Sequence, residues 1–166
     1  MAGPIVTLLT DFGSTDAYAS IVKGVILSIN PNVTLVDLTH QTPPQDVGSA
    51  AFLLGTTAPH FPRGTIHVAV VDPGVGTERR PLLLTTGNAI FVGPDNGIFT
   101  YILDHDPFLP RGETHPEHPY TAPLPKGIHG YHLTNSRFWR HPVSQTFDAR
   151  DIFGPVAAHF TLGVAL

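Results

Sequence analysis

The sequence has 166 residues, 42% of them apolar, which is enough for one domain with its own hydrophobic core and too short for two comfortable ones. A formal charge of −4 with no long basic run argues against nucleic acid as a partner. No stretch approaches the roughly 18–20 apolar residues that span a bilayer, and the absence of cysteine excludes disulfides and thiolate chemistry.

Pro4–Leu9 is a short apolar run that ends in Thr10–Asp11–Phe12–Gly13, the pattern of a buried strand followed by a turn. From Asp16 the period changes. Tyr18, Ile21, Val22, Val25, Ile26 and Ile29 recur at helical spacing, Asn30–Pro31 stops the helix, and Ser14, Thr15 or Asp16 is expected to cap it. Val33–Leu38 reads as a second strand and Asp46–Leu54 as a second helix. A third strand runs from Gly64 to Val71 and breaks at Asp72–Pro73–Gly74. Pro81–Thr86 and Asn88–Val92 are strand-like runs joined by a turn at Gly87. Residues 104–127 carry six prolines and no sustained period, and are expected to form a surface loop. Tyr131–Leu133 resumes a strand, and Ile152–Leu162 closes with a helix. Strands alternating with helices predict an α/β fold: a single domain with a mostly parallel, mixed sheet flanked by helices.

Charged residues make up only 13% of the chain, roughly half the usual share, so part of the apolar surface is expected to be covered by another domain or subunit. A compact, proline-rich protein with few surface charges is the other reading. Met1–Ala2–Gly3–Pro4 lacks the basic and apolar regions of a secretory leader, so a cytoplasmic protein is expected.

In open parallel sheets, ligands bind beyond the carboxyl ends of the strands. Four predicted strands finish on acids: Asp11, Asp37, Asp72, and Asp95 in Gly93–Pro94–Asp95–Asn96–Gly97. One such aspartate is commonly a turn former or cap. Four on one rim make it electronegative, suited to a cation or a hydroxyl-bearing sugar. Neither GxGxxG nor GxxxxGK[ST] occurs, which argues against standard dinucleotide or triphosphate sites, and Asp11–Phe12–Gly13 matches the kinase triplet without its companion loops. Ten histidines raise the question of metal. His115 and His118 fall in the proline-rich segment, His129 and His132 fall on opposite faces of an extended stretch, and His67 reads as a hydrogen-bonded structural residue within a strand. No metal site is expected.

From Asp72 through Arg80 (Asp-Pro-Gly-Val-Gly-Thr-Glu-Arg-Arg) the sequence becomes specific. Together with Leu8–Gly13, Lys23–Gly24, Asp37–His40, Pro43–Asp46, Phe61–Thr65 and Pro94–Gly97, and with Tyr131–Trp139 and Ser144–Ala158 continuing the likeness, it resembles the S-adenosylmethionine hydroxide adenosyltransferase family, relatives of the fluorinases and chlorinases. The likeness covers nearly the whole chain outside the proline-rich segment. It implies cleavage of S-adenosylmethionine to adenosine and methionine by water or hydroxide attacking the ribose C5′, with no cofactor. It also implies homotrimers, with substrate held between the α/β domain of one subunit and the β-rich C-terminal domain of the next. The chain matches the α/β domain, so the C-terminal domain is expected to be missing, and most adenine-binding residues with it.

By that resemblance Asp11 holds the ribose hydroxyls, Asp16 and Tyr18 lie near the methionine portion, and Asp95 and Asn96 join the substrate-binding set. Asp72 and Arg79 match two members of an Asp–Arg–His set that positions the nucleophilic water; without the resemblance, Arg79 reads equally as a surface ion pair. Gly74 and Gly76 either admit a close backbone approach or simply make the turn. Where the family has His-Gly, this sequence has Asp148–Ala149. A second carboxylate near Asp72 would repel it unless Arg79 neutralises the pair. Asp148 can accept a proton from water but, when ionised, cannot donate as an imidazole does. Asp72 argues against a halide nucleophile, because a carboxylate there repels the anion. The leading reading is therefore an S-adenosylmethionine hydrolase with Asp72, Arg79 and Asp148 as catalytic residues. The alternatives are a non-catalytic domain that binds an adenosyl compound and, more remotely, a metal-dependent hydrolase using Asp11, Asp72 and histidines.

Overall fold

The computed structural model describes residues 3–103 and 124–165. Six strands form one mixed sheet, β1 (Ile5–Thr10), β2 (Thr34–Thr39), β3 (Thr65–Val70), β4 (Pro81–Thr85), β5 (Ala89–Pro94) and β6 (His129–His132), in the order β2-β1-β3-β5-β4-β6. β2, β1, β3 and β5 run parallel, while β4 is antiparallel to both β5 and β6. Helices α1 (Tyr18–Ile29), α2 (Val47–Thr57), α3 (Thr100–Leu103) and α4 (Gly154–Thr161) cover the two faces. The expected single α/β domain with a mixed sheet is what the chain forms.

The strand period of two sorts side chains into two cores. Val6 and Leu8 of β1, with Ile66 and Val68 of β3, pack against Val22 and Ile26 of α1 and Val156 and Ala157 of α4. Leu9 and Ala69 point the other way and meet Ala50 and Leu54 of α2 with Ile98 and Phe99. β3 is buried at all six positions, as a strand covered on both faces must be. His67 sits there without exposure, its Nδ1 2.8 Å from Thr7 Oγ1 and its ring stacked on Phe91 at 5.0 Å. Burial alone pushes its pKa down to about 4. It is the structural histidine that its place in a strand predicts.

Three local expectations are corrected. Helix α1 starts at Tyr18 with Ala17 as its N-cap and no side-chain cap, because Ser14 Oγ is taken by Gln41 Nε2 at 3.0 Å and Asp16 stands exposed. Asp37 lies inside β2 rather than at its end; it is tied to Lys23 Nζ at 2.6 Å and faces His40 Nε2 at 3.0 Å. The final helix does not begin at Ile152. Residues Ala149–Phe153 form a π-helical turn that leads into α4. Asp46 does cap α2, accepting from Ser49 N at 2.9 Å and Ser49 Oγ at 2.6 Å. Asn30 ends α1 and ties it to α4 through Thr161 Oγ1 at 2.7 Å.

The proline-rich segment, with His115 and His118, lies outside the described residues except for 124–127. Among the described residues, no helix is long and apolar enough to cross a membrane, and no group of three or more His, Asp or Glu is placed to hold a metal ion. His129 and His132 sit at the two ends of β6, three positions apart and so on opposite faces.

Candidate active site

Strand order sets the location. From β1 the chain crosses through α1 to β2 on one side, then returns through α2 to β3 on the other, so a crevice opens between the carboxyl ends of β1 and β3. The last paired residues there are Thr10 and Val70; Asp11 follows Thr10 directly, and Asp72 lies two residues beyond Val70. Both line a cavity of about 160 Å³ with Gln45, Thr146, Phe147 and Asp148. Four segments distant in sequence thus converge.

Arg79 stands between the two carboxylates. Its Nε lies 3.1 and 2.9 Å from Asp72 Oδ1 and Oδ2, its Nη2 also reaches Asp72 Oδ2, and the same Nη2 bonds Asp148 Oδ2. The three side chains are 5% (Asp72), 10% (Arg79) and 12% (Asp148) exposed, so water screens them little. Burial works against the charged guanidinium, but its bonds to Asp72 and Asp148 outweigh that and raise its pKa. Its flat face lies 5.5 Å over the Phe153 ring. Asp72 holds the guanidinium by both oxygens, whereas Asp148 uses Oδ2 alone. Among the described residues, no donor reaches Asp148 Oδ1.

Local geometry explains how these groups arrive. Thr77 N and Oγ1 both donate to Gly74 O, at 3.1 and 2.6 Å, curling the Asp72–Arg79 turn back on itself. At Gly76, φ is +78°, and a Cβ would lie 2.6 Å from Gln145 O. Only glycine lets this turn pack so closely on the segment carrying Asp148. Asp148 immediately precedes the π turn, a helical irregularity frequent at functional sites. Ala149 places its methyl group in the wall of the cavity and in the core.

Asp11 Oδ2 accepts from Gln45 N at 2.9 Å. Gln45 has φ of +63°, the one positive value outside glycine among the described residues, a strained conformation that aims its N–H at the carboxylate. Next to this cavity is a wider one of about 440 Å³, sharing Phe12, Thr146 and Phe147 and lined also by Tyr18, Ser144 and Arg150. Phe12, Tyr18 and Phe147 pack mutually, with centroids 5.3–6.0 Å apart.

The other sequence candidates are placed differently. Asp16 is exposed and lines neither cavity. Asp95 pairs with the exposed Arg80, Nε to Oδ2 at 2.8 Å. Asn96 donates to Val71 O at 2.8 Å and accepts from Ile98 N at 3.2 Å, which fixes the backbone just before Asp72. The expected rim of four acids is thus reduced: Asp37 is absent from it, Asp95 is neutralised, and Asp148 joins Asp11 and Asp72 from the far end of the chain. Sequence reading missed Gln45, Phe147 and Arg150. A larger cavity of about 790 Å³, lined by His60, Asn88, Tyr101 and Lys126 among others, lies at the opposite end of the sheet, away from these carboxylates.

A family model described as the SAM hydroxide adenosyltransferase N-terminal domain matches residues 6–166. The chain belongs to this family. It is similar to the (R)-S-adenosyl-L-methionine hydrolase of Thermus thermophilus, 42% identical over 96% of the chain and 57% of the relative. It is also similar to the enzyme of the same name from Salinispora arenicola, 39% identical over 98% of the chain and 55% of the relative. Fluorinases match at lower identity. A crystal structure of an uncharacterized conserved protein from Thermotoga maritima superposes with a TM-score of 0.82 at 32% identity, over 97% of this chain and 55% of that one. The chain therefore spans a little over half the length of the relatives it matches. The hydroxide adenosyltransferase family was legible from the Asp72–Arg80 segment and the motifs around it.

Proposed function

We propose that the protein hydrolyses S-adenosyl-L-methionine at the ribose C5′, giving adenosine and L-methionine. The observation that carries this reading is the convergence of Asp11, Asp72 and Asp148 on one small cavity at the sheet's switch point, with Arg79 bridging the last two, in a chain related to named hydrolases.

The reaction makes modest chemical demands. Sulfur leaves as a neutral thioether from a sulfonium, so no acid need protonate it. Rate must come from orientation, exclusion of water and a placed nucleophile. The water oxygen forms a bond to C5′ while the C5′–S bond breaks and its electron pair goes to sulfur. The water proton passes to a carboxylate and then to solvent. Asp11, which lines the cavity and has one oxygen held by Gln45 N, binds the ribose hydroxyls. Asp72 fixes Arg79, and Asp148 Oδ1, left without a donor, accepts the proton. Tyr18, in the wall of the wider cavity, lies at the methionine portion; Asp16, Asp95 and Asn96 line neither cavity, and Asn96 contributes by steadying Val71 O beside Asp72. Three carboxylates against one guanidinium leave the cavity negative, which favours a sulfonium and opposes a halide nucleophile.

No cofactor enters this scheme. We read the full-length protein as a cytoplasmic homotrimer without nucleic-acid or membrane partners, the trimer being what the family resemblance implies. Incubation of full-length protein with S-adenosylmethionine, followed by chromatography, is expected to yield adenosine and methionine in equal amounts. Asp148 in place of the family histidine favours a second reading, a domain that binds an adenosyl compound without cleaving it. Calorimetric binding of S-adenosylmethionine without release of either product would establish that alternative.

A further inference from the structure

The cleft is unevenly charged along its length. Its inner part is lined by Asp11, Asp72 and Asp148, the last two bonded to Arg79. Beyond Phe147 it widens into the 440 Å³ cavity, where Arg150 is the charged lining residue. Arg150 donates Nε and Nη2 to the two oxygens of Asp151, each at 2.7 Å, and its guanidinium lies 5.0 Å over the Phe147 ring. Asp151 is fully buried; it also receives Ser144 N at 2.8 Å and has Arg140 Nη1 at 3.5 Å. Two guanidiniums share one carboxylate, so this end keeps one uncompensated positive charge. Asp151 occupies one edge of the Arg150 fork. Among the described residues, no acceptor bonds Arg150 Nη1.

We propose that the wider cavity receives the amino-acid tail of the substrate and that Arg150 pairs with its α-carboxylate through the edge that Asp151 leaves open. The inference rests on the hydrolase reading and extends it to a residue that the sequence did not single out. S-adenosylmethionine carries two cationic groups, sulfonium and ammonium, and one anion. The acidic inner cavity attracts either cation and so leaves the direction of binding undecided. A guanidinium at the far end resolves it by attracting the carboxylate and opposing the ammonium. Asp151 holds the fork rigid before substrate arrives, so little ordering is required on binding. Phe12, Tyr18 and Phe147 supply apolar walls for the methylene groups between the charges.

The test compares S-adenosylmethionine with its decarboxylated analogue, which keeps the sulfonium and amine and lacks the carboxylate. Both are measured with full-length wild-type protein and with Arg150→Gln and Arg150→Lys, by steady-state kinetics and by calorimetric Kd. Wild type is expected to bind S-adenosylmethionine about 10- to 100-fold more tightly than the analogue, the range of a charge-assisted pair. Arg150→Gln is expected to abolish that preference by raising KM for S-adenosylmethionine alone, with kcat changed by no more than about twofold. Arg150→Lys is expected to recover part of it. Equal affinity of wild type for the two compounds overturns the inference even if the variants fail to fold. So does an Arg150→Gln effect of the same size on both compounds. Absence of adenosine from either compound defeats the hydrolase reading instead, and the Kd comparison then still decides the role of Arg150.

Discussion

Arg79 keeps apart two carboxylates that would otherwise face each other across a largely buried cavity. Replacing it by methionine leaves Asp72 and Asp148 uncompensated, and a loss of about 3–5 kcal/mol in urea unfolding at neutral pH is expected. Asp148→Asn removes the open acceptor while keeping the size; kcat is expected to fall about 100-fold or more with KM nearly unchanged. Asp148→His, which restores the family pattern, should retain turnover. His67 makes a separate prediction. Its folded pKa of about 4 lies below the ordinary 6.5, so the fold favours neutral imidazole. Stability from this group is complete above about pH 6.5 and is lost as pH falls toward 4, by about 3 kcal/mol in total. Chemical denaturation across that window should show the slope, and His67→Gln should flatten it. Asp11 and Asp72 stand out in the sequence because they follow strand ends, whereas Arg79 stands out only through the family resemblance. Gln45 acts through its backbone N–H, and Arg150 through a cavity that forms only when distant segments meet. Neither leaves a local pattern to read.

At the scale of elements, the strands and first two helices followed the periodicities of the sequence to within a few residues. The deviations have physical causes. An acid that interrupts an apolar run reads as a strand terminus, but β2 is an edge strand, where Lys23 and His40 meet the Asp37 carboxylate. The cap of α1 was misplaced because Ser14 found a partner in Gln41, a contact across 27 residues. A π turn has no sequence period of its own, so the start of α4 was unreadable, yet that turn sets Asp148 against Arg79. The contact between the Asp72–Arg79 turn and the segment before Asp148 depends on Gly76. Gly76→Ala adds a Cβ against Gln145 O and forces alanine into a left-handed conformation. A cost of about 1–3 kcal/mol is expected, with a drop in kcat larger than in Gly74→Ala, where a Cβ meets its neighbours at 3.4 Å or more.

As a whole molecule, the chain is an α/β scaffold whose two buried cores fix a sheet, and whose switch point gathers the acids. The sparse charge is the basis for expecting apolar surface that another domain or subunit covers. Ile21 and Leu27 of α1, with Phe52 and Leu53 of α2, are exposed in the isolated chain. In the proposed reaction, water placed by Asp72, Arg79 and Asp148 attacks C5′ of S-adenosylmethionine. Turnover in water enriched in heavy oxygen, with mass analysis of the nucleoside, tests it most directly. Adenosine labelled on its 5′ oxygen, one label per turnover, with unlabelled methionine beside it, is the expected product. Unlabelled adenosine, or 5′-methylthioadenosine in its place, would mean that the bond broken or the nucleophile used is a different one.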